Sequence, residues 1–374
     1  MFLNMRILLN IICFMVLLLN CHETKADITV AMVAPKAGDY AQQGIELLKG
    51  AQKAVSEIND GGGLLGKKVS LMTIDDQCSD SIAVSTAQML SIMKNPKINL
   101  VIGPYCANSF EKVADIYAKS QIFQIIPTTV NYSQAKTIKK GLVKMLGFTN
   151  QQASDFFSYY NSTFAGEKVA IISNSKDLEG TEEAKAIFEE FRKHGKLIVL
   201  KSYTYDMTDK DYDKLAEMIN IDGNKVAFIL GTSKNIKKMA KSLKEKNDKF
   251  VIFTNKYAAT NEYFNYLGDF ANGTYFMELR GKDEDPEFAE TLVKLRLSGF
   301  ETEGLSLYGY SAIKLWESVV KQANSLEYNA LSTKINDNSI KTDFGQKLFH
   351  NGTPEFNENY AIYKFDNGIF DKVY

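Results

Sequence analysis

The stretch from Asn99 to Ser109, NLVIGPYCANS, is where residue types and spacing best suit the holding of a small polar molecule. Leu100, Val101 and Ile102 form a short apolar run of the kind buried on both faces of a parallel sheet. Gly103-Pro104 breaks the run. Cys106, Ala107, Asn108 and Ser109 then lead into a segment whose Phe110, Val113, Ala114 and Tyr117 recur at helical spacing. Asn108 or Ser109 suits the N-cap, and Glu111 the first turn. Strand, tight turn and helix N-terminus aim backbone N–H groups at one point beyond the strand's carboxyl end. Open α/β sheets bind ligands there. The chemistry on offer is recognition of an oxygen atom. Bond-making groups are scarce, because beyond the N-terminal segment the histidines are His194 and His350 alone. No His-Glu-x-x-His, Gly-x-Ser-x-Gly or phosphate-loop pattern occurs. His194 reads as a helix C-terminal residue favoured by the dipole, and His350 sits beside the Asn351-Gly352 turn. No enzyme, metal site or cofactor is expected.

The 374 residues are enough for two domains. A net charge of −1, with lysines interleaved among acids, gives no footprint for nucleic acid. Arg6 precedes a nearly unbroken apolar run from Ile7 to Leu19, too short to span a bilayer but right for a signal peptide. Thr24 and Ala26 supply small residues for cleavage before Asp27; the other route is lipid attachment at Cys21, to which Asn20 is a poor neighbour. Either way the mature chain is exported. It then carries Cys78 and Cys106, and an even pair in an exported chain reads as a disulfide. Each cysteine stands just past an expected strand, so adjacent parallel strands would bring the two together.

Along the chain, Asp27–Ala34 alternates and is β-branched, as a first strand. Gly44–Asp60 is helical and ends at Gly61-Gly62-Gly63, a cap and turn rather than a phosphate cradle. Strand Val69–Ile74, helix Ser81–Met93, the opening stretch and strand Phe123–Ile126 follow. A second block repeats the alternation: helix Gln151–Phe164, strand Lys168–Ser173, helix Thr181–Lys193, strand Leu197–Tyr205, helix Tyr212–Ile219, strand Val226–Leu230, helix Ile236–Leu243 and strand Phe250–Phe253. Such alternation predicts parallel sheets with helices on both faces, here in two lobes. The last hundred or so residues add helices Pro286–Leu297 and Leu305–Asn324, then strands at Gln346–Phe349, Ala361–Phe365 and Ile369–Tyr374. Helices joining one lobe and strands the other require the chain to cross between lobes more than once.

Several of these segments together resemble the type I periplasmic binding proteins of ABC transporters, in the branch that binds leucine, isoleucine and valine. They are DITVAMVAPKAG at Asp27–Gly38, KGAQKAVSEINDGGGLLGKKV at Lys49–Val69, DDQC at Asp75–Cys78, VIGPYC at Val101–Cys106, IIPTTV at Ile125–Val130, NSKDLEG at Asn174–Gly180 and LYGYSAIKLW at Leu307–Trp316. The resemblance implies two doubly wound parallel-sheet α/β lobes joined by a three-strand hinge near Leu146, Thr274 and Tyr360. Residues 27–146 with 275–360 would form one lobe, residues 147–274 with 361–374 the other, and residues 1–26 the signal peptide. It also implies the Cys78–Cys106 bridge.

Carried over residue by residue, the family's ligand positions fall on altered side chains. Ala107 stands where a serine usually holds the solute's carboxylate, and Thr128 and Thr129 stand near the usual threonine. Asp177 replaces a tyrosine, and Lys256 falls where an acid normally meets the ammonium. The loop after the first strand would contribute Tyr40 or Gln43. Tyr105, Asn108 and Tyr257 adjoin these positions as ligand contacts, or as packing and capping residues. Thr128 and Thr129 also suit turn capping, Asp177 an N-cap and Lys256 a solvated loop. With Lys256 opposing an ammonium, a small polar or acidic metabolite is expected rather than leucine, isoleucine or valine. The function implied is capture of a small polar solute, an amino acid or related metabolite, in the interlobe cleft. Delivery to an inner-membrane ABC permease would follow, from a periplasmic monomer that meets the membrane only through that permease or a lipid on Cys21. The alternative is a sensory receptor module of the same fold.

Overall fold

The computed structural model describes residues 28–128, 139–145, 149–206, 212–279, 286–302, 304–337, 340–342, 345–347, 349–350, 353–354 and 360–374. The signal segment with Cys21, Thr129 and the crossing placed at Leu146 lie outside the described residues.

In the first lobe the chain runs β1 (Ile28–Val33), α1 (Ala41–Asp60), β2 (Val69–Ile74), α2 (Asp80–Ile92), β3 (Ile98–Ile102), α3 (Ala107–Lys119), β4 (Phe123–Ile126) and β5 (Leu142–Lys144). The strands pair in parallel in the order β2-β1-β3-β4-β5. β1 is buried along its whole length, as its apolar run requires in a sheet covered on both faces. β5 escapes a sequence reading because three residues are too few to show a period.

The second lobe holds α4 (Thr149–Thr163), β6 (Val169–Asn174), α5 (Leu178–Lys193), β7 (Leu200–Tyr205), α6 (Tyr212–Ile221), β8 (Val226–Ile229), α7 (Ser233–Lys246), β9 (Val251–Asn255), α8 (Asn261–Leu267) and β10 (Thr274–Leu279). The chain returns to the first lobe with α9 (Pro286–Leu297), α10 (Ser306–Ala323), α11 (Tyr328–Asp337) and the short strands β11 (Ile340–Thr342), β12 (Gly345–Lys347), β13 (Phe349–His350) and β14 (Thr353–Pro354). It ends in the second sheet with β15 (Tyr360–Asp366) and β16 (Ile369–Lys372), giving the order β16-β15-β10-β9-β8-β6-β7. β15 and β16 run antiparallel, and the rest of that sheet is parallel.

The whole of β10, from the expected hinge position Thr274 to Leu279, pairs within the second sheet. The first lobe is completed by α10 lying across α1. An ideal Cβ on Gly50 would stand 1.8 Å from the Ser306 carbonyl oxygen, and one on Gly309 would stand 1.9 Å from that of Leu47. Only glycines let the two helices approach this closely. Trp316, Val319 and Val320 of α10 then join Leu47, Ala51 and Ile58 of α1 in one core. In the second lobe, Phe156, Phe191, Phe228 and Phe253 pack in a core of ring contacts, such as the edge-on 4.7 Å pair Phe156–Phe228.

Candidate functional site at the junction of the lobes

β3 ends at Gly103, whose φ of +106° suits glycine. An ideal Cβ there would lie 2.2 Å from the Val33 carbonyl oxygen, so only glycine lets the strand end run against β1. The Gly103 amide donates to Ile125 O at 2.8 Å, and Gln124 Nε2 donates to Gly103 O at 2.9 Å. Cys106 follows, bonded to Cys78, with the two Cα atoms 5.4 Å apart. That separation sits inside the range a bridge requires.

α3 begins at Ala107, with Cys106 at the N-cap and no side chain closing the cap. The expected caps do not form in that role. Ser109 Oγ turns away and donates to Asp80 Oδ1 at 2.8 Å, beside the Lys112–Asp80 ion pair. No acid stands in the first turn. Ala107 and Asn108 form the first turn of α3, with side chains outside what is described. Thr128 is buried just after β4. From the first turn of α1, Gln43 is buried with its Oε1 lacking a partner.

Asp177 faces this stretch from the other lobe, at the N-cap of α5. The helix starts at Leu178, earlier than the expected Thr181, which places Glu179 in its first turn. Asp177 is buried, and the Tyr40 hydroxyl of the first lobe lies near enough to favour its charged form. Burial raises its pKa, against the backbone N–H of Gly180, the Tyr40 hydroxyl and the backbone N–H of Glu179. No side-chain cap bond of regular geometry closes at this terminus, so the two amides act by proximity to the charge. Burial, followed by the charges of Asp177 and Glu179, pushes the Tyr40 hydroxyl far up. Tyr105 rises well above its ordinary value from burial, and then from Glu179 and Asp177. The rings of Tyr40 and Tyr105 lie 6.2 Å apart.

β9 delivers a second bridge. Tyr257, in the single turn Lys256–Ala258, donates its hydroxyl to Glu179 and sits in the first lobe's apolar core. Asn255 Nδ2 donates to Glu183 Oε2 at 3.4 Å. Lys256 opens the same turn, with its side chain outside what is described. Lys234 Nζ lies 3.5 Å from Asp39 Oδ1 across the junction. Tyr40, Tyr105, Asp177 and Tyr257 are thus brought into one neighbourhood shared by both lobes.

Residues 27–369 match the family model described as periplasmic binding protein. The chain belongs to the periplasmic binding protein family. It shares 25% identity over 349 residues with an amino acid binding protein of Pseudomonas aeruginosa, covering 91% of each chain. With the Leu/Ile/Val-binding protein BraC3 of Rhizobium johnstonii it shares 26% over 345 residues, covering 92% of this chain and 93% of that one. Among solved structures, the leucine binding protein LivK of Thermotoga maritima superposes with a TM-score of 0.79 at 15% identity, covering 93% of this chain and 98% of that one. A solute binding protein of R. palustris in complex with benzoate gives 0.78 at 17%, covering 92% and 95%. These structural likenesses concern the fold alone, the two α/β lobes of a type I periplasmic binding protein.

Within this periplasmic binding protein, sequence reasoning missed Glu179, Glu183, Tyr205 and Thr232. Glu179 was legible in principle, two residues beyond Asp177. Tyr205 was not, since its hydroxyl comes to the site only through the pairing of β7 with β6. It donates to Leu230 O at 3.2 Å, beside Gly231. Among the described residues, no group of histidine, cysteine and acidic side chains is set to hold a metal ion.

Proposed function

We propose that this periplasmic binding protein captures a small amino acid or close relative between its lobes and delivers it to an ABC permease. One observation carries the reading: Asp177 is a carboxylate buried at the lobe junction, beside Tyr40 of the opposite lobe. A buried carboxylate is costly unless something offsets its charge. A ligand ammonium seated between the lobes would do so, and would favour their closed arrangement by the same contact. Asp177 thereby supplies the acid that is missing at Lys256. The ligand's carboxylate would meet Thr128 and the open N-terminus of α3, where helix geometry favours an anion. An acidic solute with no ammonium fits this arrangement less well than a zwitterion.

The test is mass spectrometry of small molecules released from the purified protein, followed by calorimetry of the stripped protein against the free amino acids. Binding of at least one amino acid, reduced about a hundredfold by Asp177→Asn, supports the reading. No binding of any amino acid would overturn it.

A further inference from the structure

The N-terminus of α7 faces the same junction and carries polar groups that the fold leaves unused. Thr232, at its N-cap, makes no capping bond, and no acid stands in its first turn. Thr232 Oγ1, Ser233 Oγ and Asn235 Nδ2 are all buried without a partner, in residues 2%, 2% and 4% exposed. Asn235 is held from its other side, where Oδ1 accepts from the Tyr212 hydroxyl at 3.0 Å. The position of this terminus is set by its neighbours. Gly231 precedes it, and the site of an ideal Cβ there is 2.7 Å from Tyr205 Oη and 3.9 Å from Asp177 Oδ2. Lys234 reaches Asp39 of the first lobe. Asn174, on the adjacent strand β6, adds a further buried Nδ2 with no partner.

Two hydroxyls and an amide group are therefore buried unpaired in the first turn of α7, with a further amide on β6, and the glycine that leads into that turn lies beside Asp177. Buried polar groups are seldom left unsatisfied, because each costs free energy when unpaired. A helix N-terminus is electropositive and favours an acceptor. An aliphatic side chain placed here would leave every one of these groups unpaired. We infer that the α7 N-terminus is the side-chain subsite of the cleft, and that it selects an amino acid ending in a carboxylate or carboxamide. The inference rests on the reading above, in which the ligand ammonium meets Asp177. Thr232 and Ser233 are the specificity-determining residues, and the acid and the amide share the acceptor oxygen that the subsite reads.

The experiment is calorimetry of the stripped full-length mature protein with aspartate, glutamate, asparagine, glutamine and leucine, on the native chain and on the double variant Thr232→Val/Ser233→Ala. The expected result is that at least one acceptor-bearing amino acid binds ten times or more tighter than leucine, and that the double variant erases most of this margin. The acid and amide arms then separate a carboxylate from a carboxamide ligand. Equal or tighter binding of leucine overturns the subsite and leaves the proposed function standing. Binding of no amino acid overturns both. A margin that survives the double variant refutes the assignment to α7. Should the variant fold poorly, amide NMR of the native protein decides: the Ser233 and Lys234 N–H resonances should shift with the preferred ligand, and an unchanged position sinks the idea.

Discussion

Replacing both cysteines of the Cys78–Cys106 bridge by serine should destabilise the first lobe by an amount that follows from chain entropy. The bridge closes a loop with a sequence separation of 28. Cross-linking a loop of that length removes entropy from the unfolded ensemble worth about 3.5 kcal/mol at room temperature. For a lobe of roughly 200 residues this lowers the melting midpoint by roughly 7–14 °C. The loss should also reach the site, since Cys106 is the N-cap from which α3 starts and Cys78 closes the turn after β2. The assay is urea and thermal unfolding of the native protein and the double variant, with near-UV circular dichroism reporting tertiary packing. Thiol labelling of unreduced, denatured native protein should find neither cysteine reactive. A variant within about 1 kcal/mol of the native protein would refute the chain-entropy account, and a reactive thiol would refute the bridge itself.

Three further outcomes are expected. Asp76 is fully buried, and its pKa is raised from 3.8 to about 6, chiefly by burial, with the Cys78 amide acting in opposition. Its folded-state value lies above the unfolded one, so its contribution is complete below pH 3.8 and is lost as pH rises through about 6. That loss is roughly 3 kcal/mol at most, and Asp76→Asn should flatten the fall in melting temperature between pH 4 and pH 7; an unchanged slope would acquit Asp76. Gly103→Ala should cost about 3 kcal/mol or more, from strain at positive φ and the collision with Val33; chemical denaturation with a midpoint equal to the native protein's would show that the turn can rearrange. Small-angle scattering should give a smaller radius of gyration once the preferred solute is bound, whereas an identical radius at saturation would argue against closure.

The alternation of strands and helices was open to a reader of the sequence because buried, β-branched runs such as Ile28–Val33 and Val169–Asn174 are separated by segments of helical period. What escaped that reading has physical causes. α8 is one short aromatic segment, and α11 shows no wide apolar face, so neither declares itself by period. The start of α5 was misplaced because Gly180 looks like a break, yet it lies inside the helix with the Asp177 carboxylate beside it. The Cys78–Cys106 pairing was legible as an even pair in an exported chain, but the expected strand adjacency does not hold: β1 lies between β2 and β3, and the cysteines meet beyond the strand ends, with Cα atoms 5.4 Å apart. The juncture of Tyr40 with Asp177 was not legible, since it joins residues from opposite lobes. Nothing in the sequence singles out Thr232 and Ser233; the fold reveals that their hydroxyls are buried and close no cap.

The crossing of α1 by α10 has a bearing on how the chain is made. Tyr310 donates to Glu57 Oε2 at 2.6 Å over a separation of 253 residues, and the Leu305 amide donates to Glu46 Oε2 at 2.8 Å over 259. The face of α1 that α10 covers stays open to water until most of the polypeptide has left the ribosome. Contacts so distant along the chain slow folding. The first lobe therefore closes only when α10 arrives, long after α1 has been made.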